Sequence, residues 1–525
     1  MGRTRRNVLL VTADQWRGDC LSAAGHPLVE TPGFDALANE GVRFARHYTV
    51  CAPCGPARAS LLTGMYLHNH RSVRNGTPLE DRFTNIAREV RGAGYRPVLF
   101  GYTDTSLDPR VHPLEEVTRH GYENLMPGFE EGLLLPGERP QAWIDDLKAK
   151  GYDVNGYDDA FAPAAPTPPG HGRTFAPATY TSDDSQTAFL ARRAMEYIDR
   201  AAPGWFVHLS WFRPHPPFIA PEPWNRRYRA ADVPAPMRAA SPAREAALHP
   251  WLAAALGPHA DWYEHWVREA MTSDRYDAEV RQLRATYYGL VGKVDHYFGA
   301  LMEFLRETKR LDDTLVIVTS DHGELLGDHY LFGKRGWFDA AFHVPLLIRD
   351  PDLPRARRGT VVEGFTESVD VMPTILEWLG LGIPRQCDGR SLLPVMKGAP
   401  AADAAFFEYD FRNDDGAAGG AAAELGLGAD QCLLNAVRTE RYKYVHFPAL
   451  PPLFFDLAAD PGELEDRTGD PVCRDAMMEH AGRLLSWRMS STGRGLTHLK
   501  VARDGVHDLS RAADDQPSTS AMDLR

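Results

Sequence analysis

Apolar runs and amphipathic stretches alternate along the first three quarters of this chain. Short, uninterrupted apolar runs bounded by charge are typical of buried parallel strands. They predict strands at 7–12, 42–50, 95–101, 205–211 and 315–319. Apolar residues at helical spacing predict helices at 31–41, 84–94, 182–200 and 284–308. Strands that alternate with helices favour an α/β fold: a large, doubly wound, mostly parallel sheet flanked by helices.

The pattern changes near residue 400, which predicts a second, smaller domain. A helix at 472–487 follows short strands at 433–439, 442–447 and 453–456. We therefore predict a large α/β domain over 1–400, a small C-terminal α+β domain over 401–505, and a polar tail over 506–525.

Two long stretches of the large domain show no sustained period. They span 106–180, which is rich in Pro, Gly and Asp, and 221–280, which is rich in Trp and Tyr. Loops of this length are usually functional or disordered. We predict that both are insertions over the functional face of the sheet.

The composition fits a globular protein and excludes several partners. The 525 residues are 43% hydrophobic and 25% charged, with a formal net charge of −13. Nucleic acid is not expected as a partner because phosphate backbones require a basic surface, although a local cluster of cations can still bind a small anion. No apolar run approaches the length of about 18 residues that a membrane span needs. Six cysteines are too few for a secreted disulfide scaffold, so we expect a cytoplasmic protein.

Polar side chains follow three of the predicted strands. Asp14 and Gln15 come after the first strand, His215 after the strand at 205–211, and Asp321 and His322 after the strand at 315–319. The carboxyl ends of parallel strands meet at one edge of a sheet, where such folds bind their ligands. Carboxylates and imidazoles at that edge predict a site for a divalent metal ion.

The segment after the 42–50 strand carries the most specific motif. Cys54-Gly-Pro-Ala-Arg58 matches the Cys-x-Pro-x-Arg pattern that type I sulfatases carry and whose cysteine is oxidised to Cα-formylglycine. Leu-Leu-Thr-Gly64 fits the continuation of that pattern. Cys51 completes a Cys-x-x-Cys pair, but no second pair follows at zinc spacing, so we interpret Cys51 as a structural thiol.

Nearly the whole chain resembles the sulfatase branch of the alkaline phosphatase superfamily. Besides the Cys54 motif, 94–102 resembles the second signature of that family, and 437–444, 455–457 and 460–463 resemble its C-terminal domain. The expected fold therefore agrees with the one that the strand and helix pattern favours.

Departures from the sulfatase pattern change the expected substrate. Sulfatases usually carry a second Asp where this chain has Gln15, and a Lys and a His where it has Tyr102 and Asp104. With the His215 loop and Lys334, this combination is more similar to the phosphonate monoester hydrolases. Those formylglycine enzymes also cleave phosphodiesters and, promiscuously, sulfate and phosphate monoesters.

Asp104 departs from that second family as well, since the family places a Thr at the corresponding position. Thr103 and Thr105 are the candidates for supplying the missing hydroxyl group. An added carboxylate beside an anionic substrate is costly, so Asp104 bears directly on substrate preference.

Three groups of site residues follow from these motifs and from the resemblance. The metal ligands are Asp14, Gln15, the oxidised residue at Cys54, Asp321 and His322. The catalytic residues are Cys54, Arg58, His215 and Lys334. The substrate contacts are Asn75, Tyr102, Thr103, Asp104 and Thr105.

The expected chemistry depends on the hydrated aldehyde at position 54, which has two hydroxyl groups. One attacks phosphorus or sulfur in line, and the other then expels the product by C–O cleavage, an exit that a cysteine thiolate lacks. Arg58 is expected to fix the nucleophile, and Lys334 to neutralise the non-bridging oxygens. His215 is the candidate general acid for the leaving oxygen.

The ligand set favours one divalent ion per site. Two carboxylates, one amide oxygen and one imidazole are less anionic than a calcium cage, which favours Mn²⁺ while leaving Ca²⁺ possible. The family also implies maturation by a formylglycine-generating enzyme, a small anionic ester as substrate, and assembly into a homotetramer.

The leading hypothesis is a metal-dependent phosphonate monoesterase and phosphodiesterase, and the alternative is an arylsulfatase. A two-metal phosphatase or mutase would need a Ser or Thr nucleophile and a second set of Asp and His ligands. Arg58, Lys334 and His215 stand where that second ion would act. A non-catalytic binding protein would not need the intact set of catalytic candidates.

Overall fold

The computed structural model describes residues 6–257, 275–412 and 421–509. Its strands are β1 (Asn7–Ala13), β2 (Val42–Tyr48), β3 (Cys51–Ala52), β4 (Arg96–Gly101), β5 (Glu130–Leu134), β6 (Trp205–Trp211), β7 (Thr314–Thr319), β8 (Leu346–Arg349), β9 (Thr360–Glu367), β10 (Ala404–Asp410), β11 (Leu433–Thr439), β12 (Tyr442–His446), β13 (Leu453–Asp456), β14 (Leu499–Ala502) and β15 (Gly505–Asp508). Its α-helices are α1 (Pro32–Glu40), α2 (Cys54–Thr63), α3 (Leu67–His70), α4 (Ile86–Gly92), α5 (Leu114–Arg119), α6 (Gln141–Ala149), α7 (Tyr157–Ala160), α8 (Gln186–Arg200), α9 (Pro242–Ala246), α10 (Pro250–Ala255), α11 (Tyr276–Glu307), α12 (Asp339–Phe342), α13 (Val371–Leu379), α14 (Leu393–Met396), α15 (Ala421–Glu424) and α16 (Arg474–Ser491).

A large sheet of eight strands forms the centre of the fold, in the order β5-β4-β6-β1-β7-β8-β2-β9. Its strands run parallel, apart from β8, which is antiparallel to both of its neighbours. The predicted fold class, a mostly parallel α/β sheet with a smaller C-terminal domain, is confirmed.

Helices cover both faces of this sheet because alternate residues of its central strand face opposite sides. Leu9 and Val11 of β1 lie in one hydrophobic cluster with residues of α8 and α11. Val8 and Leu10 lie in a second cluster with residues of α2, α4 and α13. Burial on both faces explains why β1 reads as a continuous apolar run.

A second sheet has the order β13-β12-β11-β10-β3. Strand β3 pairs in parallel with β10, while the other strands are antiparallel. Because β3 ends two residues before Cys54, this small sheet is attached directly to the segment that carries the formylglycine motif. The small sheet therefore draws one strand from outside 401–505.

The two predicted insertions contain more regular structure than their sequence pattern indicated. Within 106–180, β5 pairs in parallel with β4 and forms one edge of the large sheet, so this segment is not purely an insertion over one face. Within 221–280, residues 258–274 lie outside the described residues, and α11 begins at Tyr276, earlier than the predicted 284. Most of the predicted tail, 510–525, also lies outside the described part of the chain. Among the helices that the structure describes, none is both long and apolar enough to cross a membrane.

Candidate active site

Four polar side chains converge at the carboxyl edge of the large sheet. Asp14 follows β1, Asp321 and His322 follow β7, and Cys54 is the first residue of α2. One potential ligand atom from each of the four lies within 4.8 Å of the others. The Cys54 Sγ atom is 3.1 Å from His322 Nε2. The sheet topology thus brings together side chains that are separated by up to 308 residues in sequence.

This group fits a divalent metal ion. All four residues are buried, and Asp14 Oδ1 has no hydrogen-bond partner although it is inaccessible to solvent. A buried carboxylate oxygen without a partner is costly unless a cation binds it. His322 Nδ1 donates to the carbonyl of Gly323 at 3.0 Å, which leaves Nε2 unprotonated and directed at the group.

Arg58 holds the two carboxylates in place. Its Nη2 and Nε atoms donate to Asp14 Oδ2 and Asp321 Oδ2, each at 2.9 Å. Its Nη1 atom donates to Ser210 Oγ at 2.7 Å and to the Tyr102 carbonyl at 2.9 Å. A rigid guanidinium fork can satisfy several acceptors at once, which a lysine ammonium group cannot do in the same geometry. Arg58 therefore acts on Asp14 and Asp321 rather than directly on Cys54.

Gln15 connects Lys334 to a carboxylate that the sequence did not single out. Its Oε1 accepts from Lys334 Nζ at 2.8 Å, and its Nε2 donates to Glu324. Its backbone N–H donates to Asp321 Oδ1 at 3.1 Å. The amide oxygen of Gln15 faces Lys334, so its role as a metal ligand remains a prediction.

His215 lies on the loop after β6, close to Lys334. Its Nδ1 atom donates to the Pro216 carbonyl at 2.7 Å, and its Nε2 atom is 3.5 Å from Lys334 Nζ. Burial and then the charge of Lys334 lower the pKa of His215 well below its usual value. Arg213 holds the loop by donating to the carbonyls of His215 and Pro217, both at 2.6 Å.

A cleft of about 270 Å³ opens above the nucleophile. Six of the predicted site residues line it: Asp14, Cys54, Asn75, Tyr102, Asp104 and His215. Asn75 Oδ1 accepts from the backbone N–H of Gly55 at 2.8 Å, which fixes its side chain beside the start of α2.

Thr103 and Thr105 do not line the cleft. The Thr103 hydroxyl donates to the Asn124 carbonyl at 2.9 Å and accepts from the Met126 N–H at 2.8 Å. The Thr105 hydroxyl lies 3.1 Å from Thr103 Oγ1. Both side chains hold the following loop, so the structure does not support them as replacements for a substrate-binding hydroxyl group.

The two carboxylates of the metal group have opposite electrostatic environments. Burial, together with the charge of Asp321, raises the pKa of Asp14 to about 7. Burial acts on Asp321 too, but His322 and Arg58 outweigh it and lower the pKa of Asp321. Burial lowers the pKa of His322 to about 3. Burial and Asp14 raise the pKa of the Cys54 thiol.

Several residues at the site could not be found from the sequence. Ser210 and Arg213 belong to the 205–211 strand and its loop, and Glu324 follows the Asp321-His322 pair. Only the folded sheet shows that they hold Arg58, the His215 loop and Gln15. The outer cleft is lined by further unpredicted residues: Tyr122, Glu123, Glu138, Tyr157 and Phe212. Four of these belong to 106–180, where no sequence pattern marked them.

The fold and the site together define a hydrolase of the sulfatase family. A family model described as Sulfatase matches residues 6–381, and a model described as N-sulphoglucosamine sulphohydrolase, C-terminal, matches residues 327–489. The chain therefore belongs to the sulfatase family, within the alkaline phosphatase superfamily. This family implies a metal ion and a formylglycine residue, and the buried Asp, Cys and His group is suited to both.

Individual relatives match almost the full length of the chain. The multifunctional alkaline phosphatase superfamily protein PehA from Trinickia caryophylli is 42% identical over 96% of this chain and 99% of its own. The phosphonate monoester hydrolase of Agrobacterium radiobacter has a similar structure, with a TM-score of 0.89 and 42% identity over 96% of this chain and 99% of that chain. The phosphonate monoester hydrolase from Silicibacter pomeroyi has a TM-score of 0.88 and 39% identity over the same shares of the two chains.

Proposed function

We propose that this protein hydrolyses phosphonate monoesters and phosphodiesters, and promiscuously sulfate and phosphate monoesters, using a formylglycine at position 54. The observation that carries the proposal is the arrangement around the nucleophile. Tyr102 donates its hydroxyl hydrogen to Asp14, and Gln15 lies between Lys334 and Glu324. Tyr102 and Gln15 stand where sulfatases usually carry Lys and Asp. The two relatives named phosphonate monoester hydrolase, at 42% and 39% identity, support the same substrate class.

A metal ion at this site would lower the pKa of the attacking hydroxyl group and draw charge from the ester. Asp14, Asp321, His322 and the oxidised residue 54 would hold it. We propose one ion per chain, with Mn²⁺ preferred over Ca²⁺ and with Gln15 as a further ligand. Elemental analysis that finds two tightly bound ions per chain would contradict this part of the proposal.

The side chains of the protein then position the ester and move one proton. Lys334 neutralises the non-bridging oxygens, while Arg58 keeps Asp14 and Asp321 oriented. Asn75 and Tyr102 contact the substrate from the wall of the cleft. His215 gives its Nε2 proton to the leaving oxygen. It is neutral in the free enzyme, and the negative charge of a bound ester raises its pKa so that it can carry this proton.

Mass spectrometry of the peptide that contains Cys54, combined with kinetics, tests the nucleophile. Conversion of cysteine to formylglycine lowers the peptide mass by about 18 Da, and we expect activity to rise in proportion to the modified fraction. Cys54→Ala is expected to abolish turnover. Full activity in that variant, or activity that follows the unmodified fraction, would contradict the mechanism.

A comparison of kcat/KM for 4-nitrophenyl phenylphosphonate and 4-nitrophenyl sulfate tests the substrate class. We expect the phosphonate monoester to be the better substrate. An advantage of orders of magnitude for the sulfate would instead identify an arylsulfatase.

We also propose a cytoplasmic homotetramer that is matured by a formylglycine-generating enzyme, with the domain division at about residue 400. Exposed apolar side chains along α16 support self-association: Met478, Leu485 and Met489 are 63%, 61% and 73% exposed. Patches of this kind commonly mark interaction surfaces.

A further inference from the structure

The outer wall of the cleft is acidic, although the proposed substrate is an anion. Asp104, Glu123 and Glu138 all line it. Asp104 and Glu123 are only 6% and 4% exposed. Carboxylates so close to a bound anion oppose binding unless the substrate also brings a positive charge.

Asp104 provides an independent sign that this wall can accept a hydrogen bond or hold a cation. Its Oδ1 atom is buried, lacks a hydrogen-bond partner and belongs to a side chain that lines the cleft. Its Oδ2 atom is 3.6 Å from Arg58 Nε, a guanidinium group that already binds Asp14 and Asp321. A buried acceptor without a partner favours a donor or a cation from the substrate.

Glu123 and Glu138 form no ion pair with any residue that the structure describes. Glu123 Oε1 accepts from the backbone N–H of Glu138 at 3.1 Å, and Tyr122 donates its hydroxyl hydrogen to Glu138 Oε1 at 2.7 Å. Burial and the charge of Glu138 each raise the pKa of Glu123 by more than the charge of Arg139 lowers it. Burial raises the pKa of Glu123 to about 7 and the pKa of Asp104 well above its usual value, so a bound cation is what would favour the charged form of this wall.

Aromatic rings complete this wall on the side where the leaving group would lie. Tyr157 and Phe212 line the cleft together with His215, and the Phe212 ring centroid is 4.7 Å from that of His215. Rings of this kind attract ammonium groups through their faces, most strongly where a carboxylate lies nearby and water is partly excluded.

We propose that the cleft selects esters whose leaving alcohol carries an ammonium group, which would lie among Asp104, Glu123, Glu138 and the neighbouring aromatic rings. This inference rests on the proposed function, because it assigns the leaving group to the His215 side. It makes the substrate a zwitterion, with the anionic ester at Lys334 and the cation at the mouth of the cleft.

Two methylphosphonate monoesters with leaving alcohols of the same shape test the proposal. One is the ester of choline, and the other is the ester of 3,3-dimethylbutanol, in which a carbon atom replaces the charged nitrogen. With metal-loaded, modified enzyme, we expect kcat/KM for the choline ester to be roughly tenfold higher, as one cation–aromatic or cation–carboxylate contact suggests. Equal rates, or a preference for the neutral ester, would overturn the inference.

Glu123→Gln removes the charge but keeps an oxygen that can accept the Glu138 N–H. We expect it to reduce the preference for the choline ester several-fold, and Glu138→Gln, at an exposed position, to act in the same direction. A preference that neither variant changes would refute the assignment to these carboxylates.

A second measurement separates failure of this inference from failure of the proposed function. If 4-nitrophenyl sulfate is cleaved but neither the methylphosphonates nor 4-nitrophenyl phenylphosphonate is, the proposed function is wrong. Tetramethylammonium is then tested as a competitive inhibitor of sulfate cleavage. Inhibition that weakens in Glu123→Gln supports the cation site, and the absence of inhibition overturns it.

Discussion

At the scale of single residues, the site depends on side chains whose partners decide their chemistry. His215 Nδ1 donates to the carbonyl of its neighbour Pro216, and its Nε2 atom faces Lys334. The negative charge of a bound ester must therefore raise the pKa of His215 before it can protonate a leaving group. Arg58 is surrounded by acceptors, and among the described residues its hydrogen bonds go to these acceptors and not to Cys54. A histidine or an arginine without these partners would not donate a proton to the ester or orient the carboxylates.

If His215 is the general acid, the loss of activity in His215→Asn should depend on the leaving group of the ester. We expect kcat/KM for esters of alkyl alcohols to fall about 10²- to 10⁴-fold, because poor leaving groups need a proton in the transition state. Esters of 4-nitrophenol should lose less, since that leaving group departs as an anion. A series of esters with leaving groups of increasing pKa measures this difference.

The matched control for His215→Asn is His446→Asn, at an exposed position of the small sheet. It should leave the whole series within about twofold of the wild-type rates. A uniform loss across the series in His215→Asn would indicate a positioning role instead of proton transfer.

At the scale of elements, the ends of the strands set the geometry of the cleft. Gly101 ends β4 with a φ of +114°, and a Cβ atom there would lie 2.0 Å from the Ser210 carbonyl oxygen of β6. The absence of a side chain lets the two strands come close enough for Tyr102 and Ser210 to reach Arg58 together. A glycine is therefore required at the point where β4 turns into the site.

Gly101→Ala is expected to lower the free energy of unfolding by more than about 2 kcal/mol and to reduce kcat, because both strain and overlap must be relieved. Gly25→Ala is the control: Gly25 also has a positive φ, of +88°, but no atom lies within 4 Å of the added Cβ. Its cost should stay near 1 kcal/mol without loss of activity. Thermal unfolding and turnover of both variants provide the comparison, and equal effects would contradict the role of strand approach.

At the scale of the whole molecule, Glu367 joins the large sheet to the small one. It ends β9, and its two carboxylate oxygens accept from the Tyr66 hydroxyl and from the backbone N–H of Phe406 on β10, the latter at 2.6 Å. Burial, together with the charge of Asp370, raises the pKa of Glu367 from 4.5 to about 8. The folded protein thus holds this proton more tightly than the unfolded chain does.

The stabilisation from protonated Glu367 is complete below about pH 4.5 and is lost as the pH rises through about 8. We expect the free energy of unfolding to fall between pH 6 and pH 8 relative to Glu367→Gln, by at most about 1.4 kcal/mol per pH unit. Urea unfolding at several pH values measures the difference. Glu363→Gln, at an exposed position of the same strand, is the control and should have the same pH dependence as the wild type. If the free energy of unfolding of the wild type and of Glu367→Gln changed in parallel with pH, the prediction would be contradicted.

The fold was predictable to the extent that its elements are stabilised by their own sequence pattern. The strand at 205–211 and the strands at 433–439 and 453–456 have the predicted bounds, because the apolar pattern that marks each of them lies within its own segment. Seven strands were not predicted: β3, β5, β8, β9, β10, β14 and β15. Two of them, β3 and β5, show why. β3 has only two residues, and β5 has the sequence Glu-Glu-Gly-Leu-Leu, which has no strand pattern. Both are stabilised by pairing with another strand, β3 with β10 and β5 with β4.

The sequence by itself determined the chemistry at the floor of the site, because the Cys54 motif and the polar residues after β1 and β7 are encoded in short segments. Only the tertiary structure decided how these groups are used. In the folded protein, Arg58 binds the carboxylates of Asp14 and Asp321. Thr103 and Thr105 hold a loop, and Glu123 and Glu138 line the mouth of the cleft. Those assignments depend on hydrogen bonds and charges between segments far apart in the chain, and a hydrogen bond depends on distance and direction, which no local pattern specifies.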